Sequence, residues 1–185
     1  MNNYQWNPQW SGIPVGTGIQ TIGQVGCTIS VIGNILNLTP VEVNNRLKSL
    51  PKDKNGFTGY AYQNLVYWTR LAEAFPGISV ARVDGYNNDI VKGQVPNVIC
   101  EVSAVPIGGR GKHWVQYIGG GKCRDPFTGR ERPTSDFGLP SGYAIIIPAF
   151  KPQGDEAIMN QVRKIAVDST SPTTQKLKIR ALVNE

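Results

Sequence analysis

Three residues in this chain have types and positions suited to chemistry. Cys27 follows Gly26 and opens the apolar run CTISVIGNIL. A thiol at the N-terminus of a helix sits at the positive end of the helix dipole, which favours the thiolate. His113 is the only histidine in the chain and begins the apolar/aromatic run HWVQYIG. A neutral imidazole on a strand can take a thiol proton and later return it to a leaving amine. Asp125 lies twelve residues further on, in an Asp-Pro step, beyond a glycine triplet at 119–121. That triplet suits a hairpin turn, which would bring the carboxylate beside the imidazole to orient it and to stabilise its charged form. Each residue also has an ordinary reading. Most free cysteines are small buried hydrophobes, and Asp-Pro is a common turn step. Taken together, they give a helix-opening cysteine, a strand histidine and an aspartate on the neighbouring strand.

These residues need elements to position them. Residues 1–26 are rich in Gly, Pro, Asn and Gln and read as an extended, wrapping segment. Ile29, Ile32, Ile35 and Leu36 recur at helical spacing, which predicts a buried helix over 27–37. Thr39, Pro40 and Glu42 form a helix-start signal, and a second helix runs to about Leu50 with Val43 and Leu47 inward. KDKNGFTG is a loop. YAYQNLVYWTRLAEAF reads as a third helix, with Leu65, Trp68, Leu71 and Phe75 on one face, stopped by Pro76-Gly77. After it the period shifts. ISVARV, NVICEV, HWVQYIG, KCRDP and GYAIIIPAF are short β-branched and aromatic runs between turn signals. Helices first and strands second predict an α+β fold, with N-terminal helices packed on an antiparallel sheet. Residues 1–151 form this domain. Residues 152–185 read as a tail with a helix at 156–168 and a linker-like DSTSPTT.

Composition narrows the function. The chain has 185 residues, 40% of them hydrophobic and 17% charged, and a formal net charge of +6. No apolar run approaches the ~20 residues that cross a bilayer. The opening MNNYQWNPQW lacks the basic and apolar regions of a signal peptide, so synthesis in the cytoplasm is expected, with release by other means if the protein acts outside. Three cysteines without a CxxC pair give no disulfide framework, and one histidine gives no HExxH or Cys/His zinc set. No metal or other cofactor is implied. Cys100 reads as a core strand residue. Cys123 reads as a strand residue near the site, reactive if exposed. The positive charge favours an anionic partner, and Arg110, Lys112, Lys122, Arg124, Arg130 and Arg132 cluster around the histidine segment. No basic stripe with interleaved aromatics appears, so nucleic acid is not the expected partner. Oligomeric state is not encoded in any visible feature.

Four blocks resemble those of C39-like cysteine peptidases in the papain-like superfamily. They are YQWNPQW (4–10), TIGQVGCTIS (21–30), LTPVEVNNRL (38–47) and GKHWVQYIGGGKCRDPFTG (111–129). The resemblance covers residues 4–129 and implies a papain-like fold. It also implies Cys27 as nucleophile, His113 as general base and acid, Asp125 as the orienting residue, and Gln5 as a side-chain donor to the oxyanion. Gln20 and Gln24 are rival donors nearer to Cys27 in sequence, but Gln5 alone stands in a matching block. Two departures occur. Asn7 stands where the pattern usually has Asp. Thr28 follows Cys27, so the Asp-Cys-Gly form of bacteriocin-leader peptidases is missing.

The expected activity is amide hydrolysis through a Cys27 thioester. The compact family members that this chain resembles are phage and bacterial wall-lytic enzymes. That implies a peptidoglycan peptide as substrate and the anionic bacterial wall as the surface approached. An intracellular protease acting on a protein is one alternative, and an inactive binding or virion module is another.

Overall fold

The computed structural model describes residues 2–92 and 95–148. The tail expected over 152–185, including its helix at 156–168, lies outside the described residues. The chain folds as α+β. Helices come first: α1 (Ile22–Val25), α2 (Cys27–Leu36) and α3 (Pro40–Ser49). A two-stranded hairpin, β1 (Tyr60–Ala61) and β2 (Leu65–Val66), and the short α4 (Leu71–Ala74) follow. Then come β3 (Ile78–Asp84), α5 (Asn88–Lys92), β4 (Val98–Ser103), β5 (Lys112–Gly119), β6 (Lys122–Asp125), β7 (Arg130–Pro133) and β8 (Gly142–Pro148). The last six strands form one antiparallel sheet in the order β3-β8-β4-β5-β6-β7. β8, last in the chain among these strands, therefore lies between β3 and β4.

The helical expectations for α2 and α3 follow from local signals that the packing reinforces. α2 ends at Asn37, which takes a left-handed conformation with φ 56°. Asparagine tolerates that region, and it is a common way to stop a helix. α3 begins with a capping box. Thr39 Oγ1 accepts the Glu42 N–H at 3.2 Å, while Glu42 Oε2 accepts the Thr39 N–H at 2.7 Å. Pro40 takes the first helical position, where its missing N–H costs nothing. Ile29, Ile32, Val43 and Leu47 are all fully buried.

The third helix is a correction. Only Leu71–Ala74 is α-helical, preceded by a 3-10 turn over Trp68–Arg70. Residues 60–66 instead pair as a hairpin, Tyr60 against Val66 and Ala61 against Leu65. The helical spacing of Leu65, Trp68, Leu71 and Phe75 is real, and Leu71 and Phe75 are buried, but before Trp68 the chain buries Tyr60 and Val66 instead. Tyr60 is 2% exposed and donates its hydroxyl to Asn44 Oδ1 at 2.7 Å. Leu65 is left half out, at 54%. Tertiary packing overrides the periodic pattern here. The opening segment differs in a smaller way. Residues 22–25 form the one-turn α1, whereas the sequence reading had 1–26 extended throughout.

The centre of the sheet, at β4 and β8, is buried on both faces. Ile99, Ala144 and Ile146 face the helices, with Ile29, Ile32, Leu47 and Leu71. Val98, Cys100, Tyr143, Ile145 and Ile147 face the opposite way, under Ile90 of α5 and Phe137. Continuous apolar runs such as AIII in β8 follow from this double burial, since alternate residues both need apolar neighbours.

Candidate active site

Two breaks in regular structure build the site. The first lies between α1 and α2. Gly26 closes α1 by donating its N–H to the Ile22 carbonyl at 2.8 Å, and the chain turns there with φ −80° and ψ 11°. A Cβ at this position would fall 2.5 Å from the Ile22 carbonyl oxygen and 2.6 Å from its Cγ2. Glycine is required for that approach. Cys27 then opens α2, where backbone N–H groups have no intrahelical acceptor. In an unbroken helix the Gly23 carbonyl would accept the Cys27 N–H. Here it accepts Gln5 Nε2, at 2.7 Å.

The second break is the β5–β6 hairpin. Gly119, Gly120 and Gly121 all take positive φ, at 89°, 58° and 72°. Side chains rarely adopt that region, so the triplet makes the tight turn. The strands pair Gln116 with Arg124 and Tyr117 with Cys123. Continuing that register sets Asp125 across from Val115, one pleat from His113 and on the same face. His113 Nε2 lies 2.8 Å from Asp125 Oδ1, and both residues are buried. The carboxylate is held independently. Oδ1 also accepts the Phe127 N–H at 2.8 Å, and Oδ2 accepts the Thr128 hydroxyl at 3.2 Å. With Asp125 as acceptor, Nε2 carries a proton, which leaves Nδ1 to exchange one.

Electrostatics couple the three groups. Burial alone would raise the Cys27 thiol pKa. The His113 imidazole, the Trp114 backbone N–H and the Thr28 hydroxyl outweigh it and hold the thiol below its ordinary value. Burial alone would lower His113. Its hydrogen bond to Asp125 and its contact with Cys27 outweigh it and raise His113 to about 9. Burial alone would raise the Asp125 carboxyl, but the His113 bond and the Phe127 N–H bring it below the ordinary range. His113 Nε2 lies 2.8 Å from Asp125 Oδ1, and Cys27 Sγ lies 3.9 Å from Thr28 Oγ1. A thiolate beside an imidazolium, oriented by a carboxylate, is a nucleophile with its proton donor in place.

The structure separates the three glutamines. Gln5 is 2% exposed; its backbone N–H donates to the Pro126 carbonyl at 2.7 Å, and its Oε1 has no protein hydrogen-bond partner among the described residues. Gln24 is exposed and its Oε1 accepts the Thr21 N–H at 3.0 Å, capping α1. Gln20 is exposed, and its Oε1 accepts Asn64 Nδ2. Only Gln5 bridges the Cys27 and Asp125 segments. Its neighbours tighten the bridge. The Trp6 ring meets Phe127 edge-on, with centroids 5.9 Å apart, and Asn2 Nδ2 donates to the Gly129 carbonyl at 3.0 Å.

Three contributors were missed in the sequence: the Trp114 N–H, the Phe127 N–H and the Thr128 hydroxyl. Backbone donors leave no side-chain signature, so only Thr128, three residues past Asp125, could have been flagged. Cys100 and Cys123 are fully buried and their thiols are pushed up to about 12 by burial. Cys123 thus lies near the site but closed to solvent. The basic cluster is partly paired: Lys112 with Glu101, Arg124 with Glu131, Arg132 with Asp136. Among the described residues no group of three or more His, Cys, Asp or Glu could hold a metal ion, and no helix is long and apolar enough to cross a membrane. No protein-family model matches this chain, and no curated protein matches it either.

Proposed function

We propose that this chain is a cysteine peptidase or amidase of papain-like, C39-like type. The observation that carries the reading is the buried His113–Asp125 pair, at 2.8 Å, acting on a helix-opening Cys27 whose thiol pKa is lowered. In this reading the Cys27 thiolate attacks an amide carbonyl. The oxyanion is met by the Cys27 N–H and by the second hydrogen of Gln5 Nε2, the first being taken by the Gly23 carbonyl. The His113 imidazolium gives its proton to the departing amine as the C–N bond breaks, leaving a thioester on Cys27. The neutral imidazole then takes a proton from water, the hydroxide displaces sulfur, and the acid product leaves.

The substrate that fits best is a peptidoglycan peptide, cut by a phage-type endolysin. The net charge of +6 supports approach to the anionic bacterial wall. Mass spectrometry of products from purified peptidoglycan tests this. New amine and carboxyl ends that disappear with Cys27→Ala support it. Cleavage of protein substrates with intact walls favours an intracellular protease. No cleavage of either, with an unreactive Cys27, favours an inactive binding or virion module.

A further inference from the structure

Behind His113 and Asp125 the charges continue outward. Asp125 Oδ2 faces Arg132 Nη1 at 3.7 Å, and Arg132 Nε donates to Asp136 Oδ2 at 3.0 Å. Arg132 comes from β7, and Asp136 from the 3-10 turn over Thr134–Phe137 that follows it. The Arg132 guanidinium also stacks over the Phe137 ring at 4.7 Å, and that ring packs against the His113 imidazole, with centroids 5.8 Å apart. Exposure rises along the row: Asp125 0%, Arg132 27%, Asp136 38%.

We propose that Arg132 is a positioning residue of this site, holding the Asp125 carboxylate from the side away from His113, with Asp136 in turn holding Arg132. The proposal rests on the hydrolase reading above. Cys27, His113, Asp125, Arg132 and Asp136 then form one row of alternating sign, from thiolate to surface carboxylate. A fully buried carboxylate shared by two cations is divided between them. Arg132 draws on Oδ2 while His113 draws on Oδ1, so the guanidinium limits how tightly the imidazolium is held. An imidazolium held too tightly is a poor proton donor to a leaving amine. Phe137 ties the two cations geometrically, because one ring touches both.

The charged and titratable groups facing Asp125 are few. His113 comes from β5; Arg130 and Arg132 come from β7, Arg130 directly across from Asp125 with its side chain exposed; and Asp136 acts through Arg132. Cys123, on the same face of β6, is neutral because burial pushes its thiol up to about 12. Cys27, on α2, acts through His113. The signs follow. Removing the guanidinium leaves His113 as the cation within 4 Å of Asp125 among the described residues and raises the pH at which His113 titrates. Removing the Asp136 charge strengthens Arg132 and lowers it. Partial exposure weakens both effects, to about half a pH unit each.

His113 is the only histidine, so its ring-proton NMR resonance reads its titration directly. The titration is followed in the full chain with Arg132→Gln, Arg132→Lys and Asp136→Asn. The expected result is an upward shift for Arg132→Gln, a downward shift for Asp136→Asn and recovery of most of the midpoint with lysine. Shifts of one sign in both charge-removing variants, or an unmoved midpoint in Arg132→Gln, overturn the proposal, because local loosening would not give opposite signs. If Arg132→Gln fails to fold, the downward shift in Asp136→Asn, at a partly exposed residue, decides. Alkylation of Cys27 at the rate of an ordinary thiol would sink the hydrolase reading, while the titrations still decide the role of Arg132.

Discussion

Gln5 and Gly23 are joined by a 2.7 Å hydrogen bond from the side-chain amide to the backbone carbonyl, one turn before Cys27. The bond fixes the amide nitrogen and leaves its second hydrogen unassigned to any acceptor. The Gln5 Oε1 is buried and accepts no hydrogen bond from another protein group among the described residues.

Gln5→Ala should therefore lower kcat by roughly 10²–10³ with a much smaller change in KM, as expected when one oxyanion donor is lost. Steady-state kinetics on whichever substrate product analysis identifies would check this. A purely structural role would lower the melting temperature while leaving kcat of the folded fraction intact.

Cys27 should react with iodoacetamide at pH 6 well above the rate of free cysteine, because His113 and the Trp114 N–H favour the thiolate. With His113→Gln that advantage disappears and burial dominates. The pH profile then moves upward and the rate at pH 6 falls by about tenfold or more. Cys100 and Cys123 should stay unlabelled in the native protein, so a single modified peptide is expected by mass spectrometry.

Activity should fall on the alkaline side as His113 loses its proton near pH 9, because the leaving amine then has no donor. The stability effect has a definite sign. The folded value of about 9 lies above the ordinary 6.5, so the stabilisation from the imidazolium is complete below 6.5 and is lost as pH rises through about 9. Asp125→Asn removes the carboxylate that raises His113, and its alkaline limb should move toward neutral pH. Rate profiles and urea midpoints between pH 6 and 10 would show both, and an alkaline limb unmoved by Asp125→Asn would contradict the coupling.

Gly26→Ala should destabilise the fold by about 1–3 kcal/mol, since the new methyl meets the Ile22 carbonyl and Cγ2 inside contact distance. Alkylation of Cys27 should slow in the same variant, as the start of α2 must shift. A stability loss without slower alkylation would mean that α1 yields instead and Cys27 keeps its place.

The sequence was most legible where local signals and burial agreed. Thr39, Pro40 and Glu42 marked α3 because a capping box is local chemistry. The glycine triplet marked the β5–β6 turn because only glycine takes three positive φ angles in a row. The α+β order and five of the six sheet strands were readable for the same reason. β7 was not, since RERP is short, charged and at the sheet edge, where polar residues and proline are favoured. The hairpin at 60–66 was lost because Tyr60 finds Asn44, a contact between distant segments that no local period reveals. At the site, side chains were legible and backbone donors were not. His113, Asp125 and Cys27 could be named from type and context. The Trp114 and Phe127 N–H groups could not, because every residue but proline has one.

The clasp between the N-terminal segment and the Asp-Pro hairpin has a consequence for biosynthesis. Asn2 reaches Gly129 across 127 positions, and Gln5 reaches Pro126 beside it. These are among the most distant pairings in the chain, and closing so long a loop is slow and unrewarded until both ends are present. The segment bearing Gln5 leaves the ribosome first, and the one bearing Asp125 emerges only after most of the domain has been made. In the hydrolase reading proposed above, a nascent chain carries Cys27 long before it carries His113 and Asp125. The thiol is then armed only once β5 and β6 have been made, so the order of synthesis delays its reactivity.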